Sequence, residues 1–137
     1  MARNENTPKH VTYATDYVPT NHHKGSKVFV CIDEIGPDKD YKYPNGGFWA
    51  SVHTIGKFGT LSTQAHVLAD GETFDECVKA AKRAFPRFFG CKVELGEIVL
   101  DGVQLINHTF EPCFFYDKND ATVNERFCEW AKALFAN

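Results

Sequence analysis

One stretch constrains the fold more than any other: residues 70–89, DGETFDECVKAAKRAFPRFF. Thr73 and Glu76 stand at the capping-box spacing. A threonine hydroxyl there accepts from the N–H three residues on, and the glutamate reaches back to the threonine's own N–H. Phe74, Cys77, Val78, Ala81, Phe85 and Phe88 then recur at spacings of three and four and make one apolar face. Asp75, Glu76, Lys79, Lys82 and Arg83 hold the other, with acids early and bases late, as the helix dipole favours. Pro86 predicts that the helix ends or kinks at Phe85. Such a stripe must be covered, and the flanking segments read as strands, so the helix is a lid on a sheet.

Before this helix the chain predicts four strands. Residues 1–10 read as a flexible polar tail, and residues 11–137 as a single α+β domain. Val11 to Val18 is a short strand with Val11, Tyr13, Thr15 and Tyr17 on one side. Lys27 to Ile35 is a firmer one, with Val28, Val30 and Ile32 facing one way and Phe29, Cys31 and Asp33 the other. Gly36 to Gly47 is dense in turn residues and reads as a mobile connection carrying Tyr41 and Tyr43.

Phe48 to Ile55 and Thr60 to Leu68 then form the arms of a hairpin. Its expected register sets Phe48 opposite Val67, Ala50 opposite Ala65 and Val52 opposite Thr63 on the helix side. On the outer face it sets Trp49 opposite His66, Ser51 opposite Gln64 and His53 opposite Ser62.

After the helix, Lys92 to Leu100 and Val103 to Phe110 flank Asp101-Gly102, a strong hairpin signal. The apolar phase flips near Gly96-Glu97, which predicts either a bulge or a hairpin covered differently at its two ends. A second T-x-x-E box at Thr122 to Glu125 opens another helix, striped by Val123, Phe127, Trp130, Ala131 and Leu134. The whole reads β-β-β-β-α-β-β-α, an antiparallel sheet of five to six strands on two capped helices, with a possible ββα–ββα repeat.

Composition excludes several classes. A hydrophobic fraction of 43% with twelve phenylalanines argues for a packed core. A net charge of −3 leaves no electrostatic footprint for nucleic acid or an anionic membrane. Five cysteines without a C-x-x-C pair are poor zinc or disulfide spacing and point to a reducing, cytoplasmic setting. The first residues are too polar for a signal peptide, and no apolar run is long enough to span a bilayer.

Gly46-Gly47-Phe48-Trp49-Ala50-Ser51-Val52, followed by the run Ala69 to Val78 and a helix with Ala81, resembles HicB-type antitoxins. That family carries a Gly-aromatic-x-Ala-x-Val strand and then a strand turning through D/G-x-T-x-x-E-A into a helix. The resemblance covers about residues 46–85. It implies a small sheet-plus-helix fold and toxin binding. The family's short proline-containing turn is replaced here by Gly56-Lys57-Phe58-Gly59, and nothing after Thr109 resembles its DNA-binding tail. DNA binding is therefore not implied.

No catalytic site is expected. His53 beside Ser62 lacks an orienting third group and an oxyanion site. His10, His22 and His23 lack metal-ligand spacing, and the acids Asp33, Glu34, Asp38 and Asp40 lack that of a calcium loop. Cofactor and metal are both expected to be absent. What structure explains least is the aromatic and histidine supply outside the core: Tyr41, Tyr43, Trp49, Phe58, His53 and His66. The reading is a non-enzymatic module that binds another protein, antitoxin-like or an inhibitor of a host or defence enzyme. Its binding residues are Tyr41, Tyr43, Trp49, His53, Ser62, Gln64 and His66, and a homodimer is plausible. The alternative is a small-ligand or nucleotide site on the outer face of the 48–68 hairpin, which the scarcity of arginine disfavours for phosphate.

Overall fold

The computed structural model describes residues 9–20, 24–56, 66–102 and 104. Over these the chain is α+β, with five antiparallel strands and one helix. The strands are β1 (His10–Thr15), β2 (Lys27–Ile35), β3 (Gly47–Ile55), β4 (His66–Gly71) and, after helix α1 (Phe74–Phe89), β5 (Leu95–Asp101). They lie in the order β4-β3-β2-β1-β5. Since each neighbour pair is antiparallel, β4 and β5 run the same way at opposite edges, and α1 joins them across one face. The strand expected over residues 103–110 and the helix expected over 122–135 fall outside the described residues.

β2 has the bounds its sequence predicts. Its Val28, Val30 and Ile32 pack with Phe48, Ala50 and Val52 of β3 against Cys77, Ala81 and Phe85 of α1. Tyr13 and Tyr17 close the same cluster. The Lys9 carbonyl accepts from the Glu34 N–H at 2.7 Å, so the ordered sheet begins inside the stretch read as a tail. β5 joins β1 with two register shifts, the second between Tyr13–Ile98 and Thr15–Leu95, which brackets Gly96-Glu97 where the apolar phase flips. β5 starts at Leu95, not Lys92, and takes in Asp101, so it ends at the predicted Asp101-Gly102 turn. Gly102, at φ +77, donates its N–H to the His10 carbonyl at 2.7 Å.

α1 also departs from its sequence reading in three places. Thr73 Oγ1 accepts from the Glu76 N–H at 3.2 Å as expected, but the glutamate's return bond goes to the Glu72 N–H, one residue early. Pro86 does not end the helix, which continues to Phe89 and is capped by Gly90 at φ +72. Pro86 is exposed, so the hydrogen bond it forgoes lies on the solvent side, while Phe85 and Phe89 anchor the last turn. Phe89 rather than Phe88 completes the stripe. Its ring lies 4.6 Å from that of Tyr17, whereas Phe88 is 42% exposed.

The register of β3 on β4 corrects the expected hairpin. Phe48 pairs with Gly71, Trp49 with Asp70, Ala50 with Ala69, Ser51 with Val67 and Val52 with His66, with a shift between Ala50 and Ser51. β4 does not stop at Leu68; it runs through Asp70-Gly71 into the helix cap. Gly71 makes this possible. A Cβ there would stand 2.5 Å from the Cys77 nitrogen and 2.9 Å from the Glu76 carbonyl carbon, backbone atoms that cannot swing aside. Gly71→Ala is therefore expected to destabilise the fold by about 2 kcal/mol, read as a lowered urea midpoint at unchanged slope. An unchanged midpoint would mean that the strand end and the helix are not in this contact.

Candidate functional site

The connection between β2 and β3 is tied down rather than loose. The Asp38 N–H donates to the Pro44 carbonyl at 3.1 Å, Tyr41 N–H to the Asp38 carbonyl at 3.0 Å, and Gly46 N–H to the Tyr43 carbonyl at 2.9 Å. The Asp38 carboxylate accepts from the Asp40 N–H, a side-chain turn that suits this composition. Gly46, at φ +101, adopts a backbone that favours glycine and returns the chain to β3.

This fold lays Tyr43 on a floor of bare backbone. A Cβ at Gly47 would meet the Tyr43 ring at 2.9 Å and the Gly71 carbonyl at 2.8 Å. The Tyr43 hydroxyl then donates to Asp70 Oδ1 at 3.2 Å, and Lys42 Nζ reaches both Asp70 oxygens at 3.2 and 3.3 Å. Tyr41 packs edge-on to Tyr43, centroids 5.5 Å apart. Burial, then the Asp70 carboxylate, push the Tyr41 hydroxyl up to about 12. The same two causes raise Tyr43, so both phenols keep their protons at neutral pH. Tyr41 Oη is buried and has no hydrogen-bond partner among the described residues.

The sheet face away from α1 carries a second polar group. Directly paired residues share a face. The pairings thus place His10, Asp33 and Trp49 in one row, Thr12, Cys31 and Ser51 in the next, and Ala14, Phe29 and His53 in a third. Asp33, Thr12, Cys31, Ser51, Phe29 and His53 are all buried, although no described helix lies on them. His10 Nδ1 lies 2.9 Å from Asp33 Oδ1, Thr12 Oγ1 3.3 Å from Cys31 Sγ, and Ser51 Oγ 2.8 Å from His53 Nε2.

Burial lowers His53 to about 4 and drives the Cys31 thiol up, helped by Asp33. The imidazole is neutral and the thiol protonated. The His53–Ser51 pair resembles a base beside a hydroxyl, but His53 Nδ1 has no partner among the described residues to orient it. With His53 1% exposed, no substrate reaches it in this conformation.

The predicted binding residues are thus sorted. Tyr41, Tyr43 and Trp49 come together around Asp70, which pairs with Trp49 across the strands and accepts from Tyr43. His53 is removed from the proposed surface because it is buried. His66 stands opposite Val52, not Trp49, so it and His53 occupy alternate register positions. Ser62 and Gln64 lie outside the described residues, and Ser51 faces Val67 rather than Gln64. Sequence reasoning missed Asp70, Lys42 and Gly47. A signal existed in Gly46-Gly47, where a turn needs one glycine and the second is left for close contact. No group of three or more metal-ligating side chains occurs among the described residues. No described helix is long and apolar enough to cross a membrane.

No protein-family model, curated protein or solved structure matches this chain.

Proposed function

We propose that this chain is a non-catalytic module that binds another protein, of the antitoxin or inhibitor kind, in the cytoplasm. The observation that carries this reading is the corner where Tyr41, Tyr43 and Trp49 converge on Asp70, each ring half-buried. Fixed aromatics with one wet side bind at low entropic cost, because little freedom remains to be lost. The resemblance of residues 46–85 to HicB-type antitoxins points the same way, and so does the burial of His53, Ser51, Asp33 and Cys31, the groups that chemistry would need.

Affinity capture from native lysate tests the reading, with wild type beside Tyr43→Ala/Trp49→Ala after circular dichroism shows both folded. One stoichiometric protein retained by wild type and reduced at least about tenfold on the variant is expected, since hot-spot aromatics carry most of an interface's energy. Equal capture by both would reject this surface. No capture, with a monomeric native mass, would reject the module.

A second reading, a small-ligand site, has support of its own away from the outer face of the 48–68 hairpin where the sequence placed it. An open cleft of roughly 400 Å³ lies between the exit of β1 and the end of α1, lined by Tyr17, Phe89, Cys91 and Lys92 among others. Its size suits a small ligand. A thermal-shift screen of nucleotides and planar acids, repeated on Phe89→Ala, separates this reading from the first.

A further inference from the structure

We propose that the Asp70 corner is a seat for an arginine of the partner protein and that the chain's own Lys42 occupies it in the unbound state; this rests on the protein-binding reading above. Asp70 presents two carboxylate oxygens at the end of β4, with its side chain 29% exposed. Lys42, 60% exposed, divides one ammonium between them at 3.2 and 3.3 Å and stands 5.6 Å from the Tyr43 centroid. Strong charge-assisted bonds are shorter than this. An exposed lysine pair of this kind contributes little and exchanges readily.

What the corner offers fits a different cation better. Two parallel carboxylate oxygens match the fork of a guanidinium, and the Tyr43 ring beside them offers a face on which its plane can stack. Tyr41 packs edge-on against Tyr43 and holds that ring in place. Charge agrees. Glu72 and the first-turn acids Asp75 and Glu76 follow Asp70 directly, and the basic residue of the terminal turns, Arg87, lies at the far end of the helix. Several carboxylates outweigh the half charge of the helix N-terminus. Lys42 shows that this carboxylate and ring can be reached together by one cationic side chain.

The test uses the full chain, labelled with ¹⁵N and titrated with the peptide Ac-Gly-Arg-Gly-NH₂, its lysine counterpart and its citrulline counterpart. Saturable shifts at the Tyr43, Asp70 and Gly71 amides are expected with arginine, weaker ones with lysine and none with citrulline. Lys42→Ala, which vacates the seat, should tighten arginine binding several-fold, and Asp70→Asn should abolish it. Absence of saturable shifts in Lys42→Ala, or equal response to citrulline, overturns the proposal.

The capture experiment separates this inference from the reading beneath it. A partner held equally by wild type and Asp70→Asn but lost by Tyr43→Ala/Trp49→Ala would remove the arginine seat and keep the binding module. Arginine-peptide binding without any captured protein would keep the seat and remove the module.

Discussion

Phe85→Ala is expected to destabilise the fold by about 4 kcal/mol. Phe85 is 1% exposed and sits where α1 meets the sheet, in the cluster that holds Val30, Ala50, Ala81 and Val93. Removing its ring loses the transfer free energy of the buried carbons and leaves a void that strands on one side and a helix on the other cannot close. The loss falls on the last turns of α1, which Pro86 has already deprived of one backbone hydrogen bond. The informative control is Phe88→Ala. The sequence stripe treats the two phenylalanines alike, but Phe88 is 42% exposed, so its truncation should cost under about 1 kcal/mol. Urea unfolding of the two variants reads the difference. Equal effects would mean that the helix is rotated and buries Phe88 as deeply as Phe85.

The next largest effect is a loss of stability in acid with a definite source. His53 titrates near 4 in the folded chain because it is buried, against 6.5 for an exposed imidazole. Between those values the unfolded chain takes up a proton that the folded chain refuses. The contribution is fully present above about pH 6.5 and falls as pH drops, by about 3 kcal/mol at pH 4. Asp33 acts with the opposite sign. Burial raises its carboxyl and the hydrogen bond to His10 pulls it part of the way back. Over the window between its ordinary and raised values the folded chain holds the extra proton, which adds stability as pH falls. His53→Gln keeps an amide that can bond Ser51 and cannot titrate, so the difference between the two stability curves isolates the imidazole. Wild type should lose about 3 kcal/mol more than the variant from pH 7 to pH 4. Parallel curves would show that water reaches His53.

The elements legible in the sequence are those whose signals are local. The Thr73 cap, the Val28/Val30/Ile32 alternation and the phase flip at Gly96-Glu97 each depend on residues a few positions apart, and each is found where expected. The β3–β4 register was not legible, because it is set by a contact outside the hairpin. Gly71 must pass beneath the first turn of α1, and that requirement overrides the alternation that favoured Val67 opposite Phe48. Pro86 misled for a related reason, since a local helix breaker is outvoted when Phe85 and Phe89 are both held by the sheet.

The candidate site was half legible. Tyr41, Tyr43 and Trp49 stood out as aromatics without a core role, yet their organiser, Asp70, looked like an ordinary turn residue. Only the topology, which brings the β2–β3 connection onto the end of β4, shows what that carboxylate binds. His53 failed as a surface residue because alternation assigns a side chain to a face without saying whether that face is wet.

The strand order also sets a timetable for folding. β1, β2 and β3 pair with their neighbours in sequence, so they can assemble as soon as they leave the ribosome. The outer edge of β1 is different. Val11 pairs with Asp101, a partner that emerges only after the whole of α1. Until then a nascent sheet carries an open row of amides and carbonyls beside Tyr13, the kind of edge that recruits other chains. Closing so long a loop is slow, and it comes after the local contacts have formed. Pairing with β5 is the step that covers this edge of β1, and it leaves β4 and β5 as the edges of the described sheet.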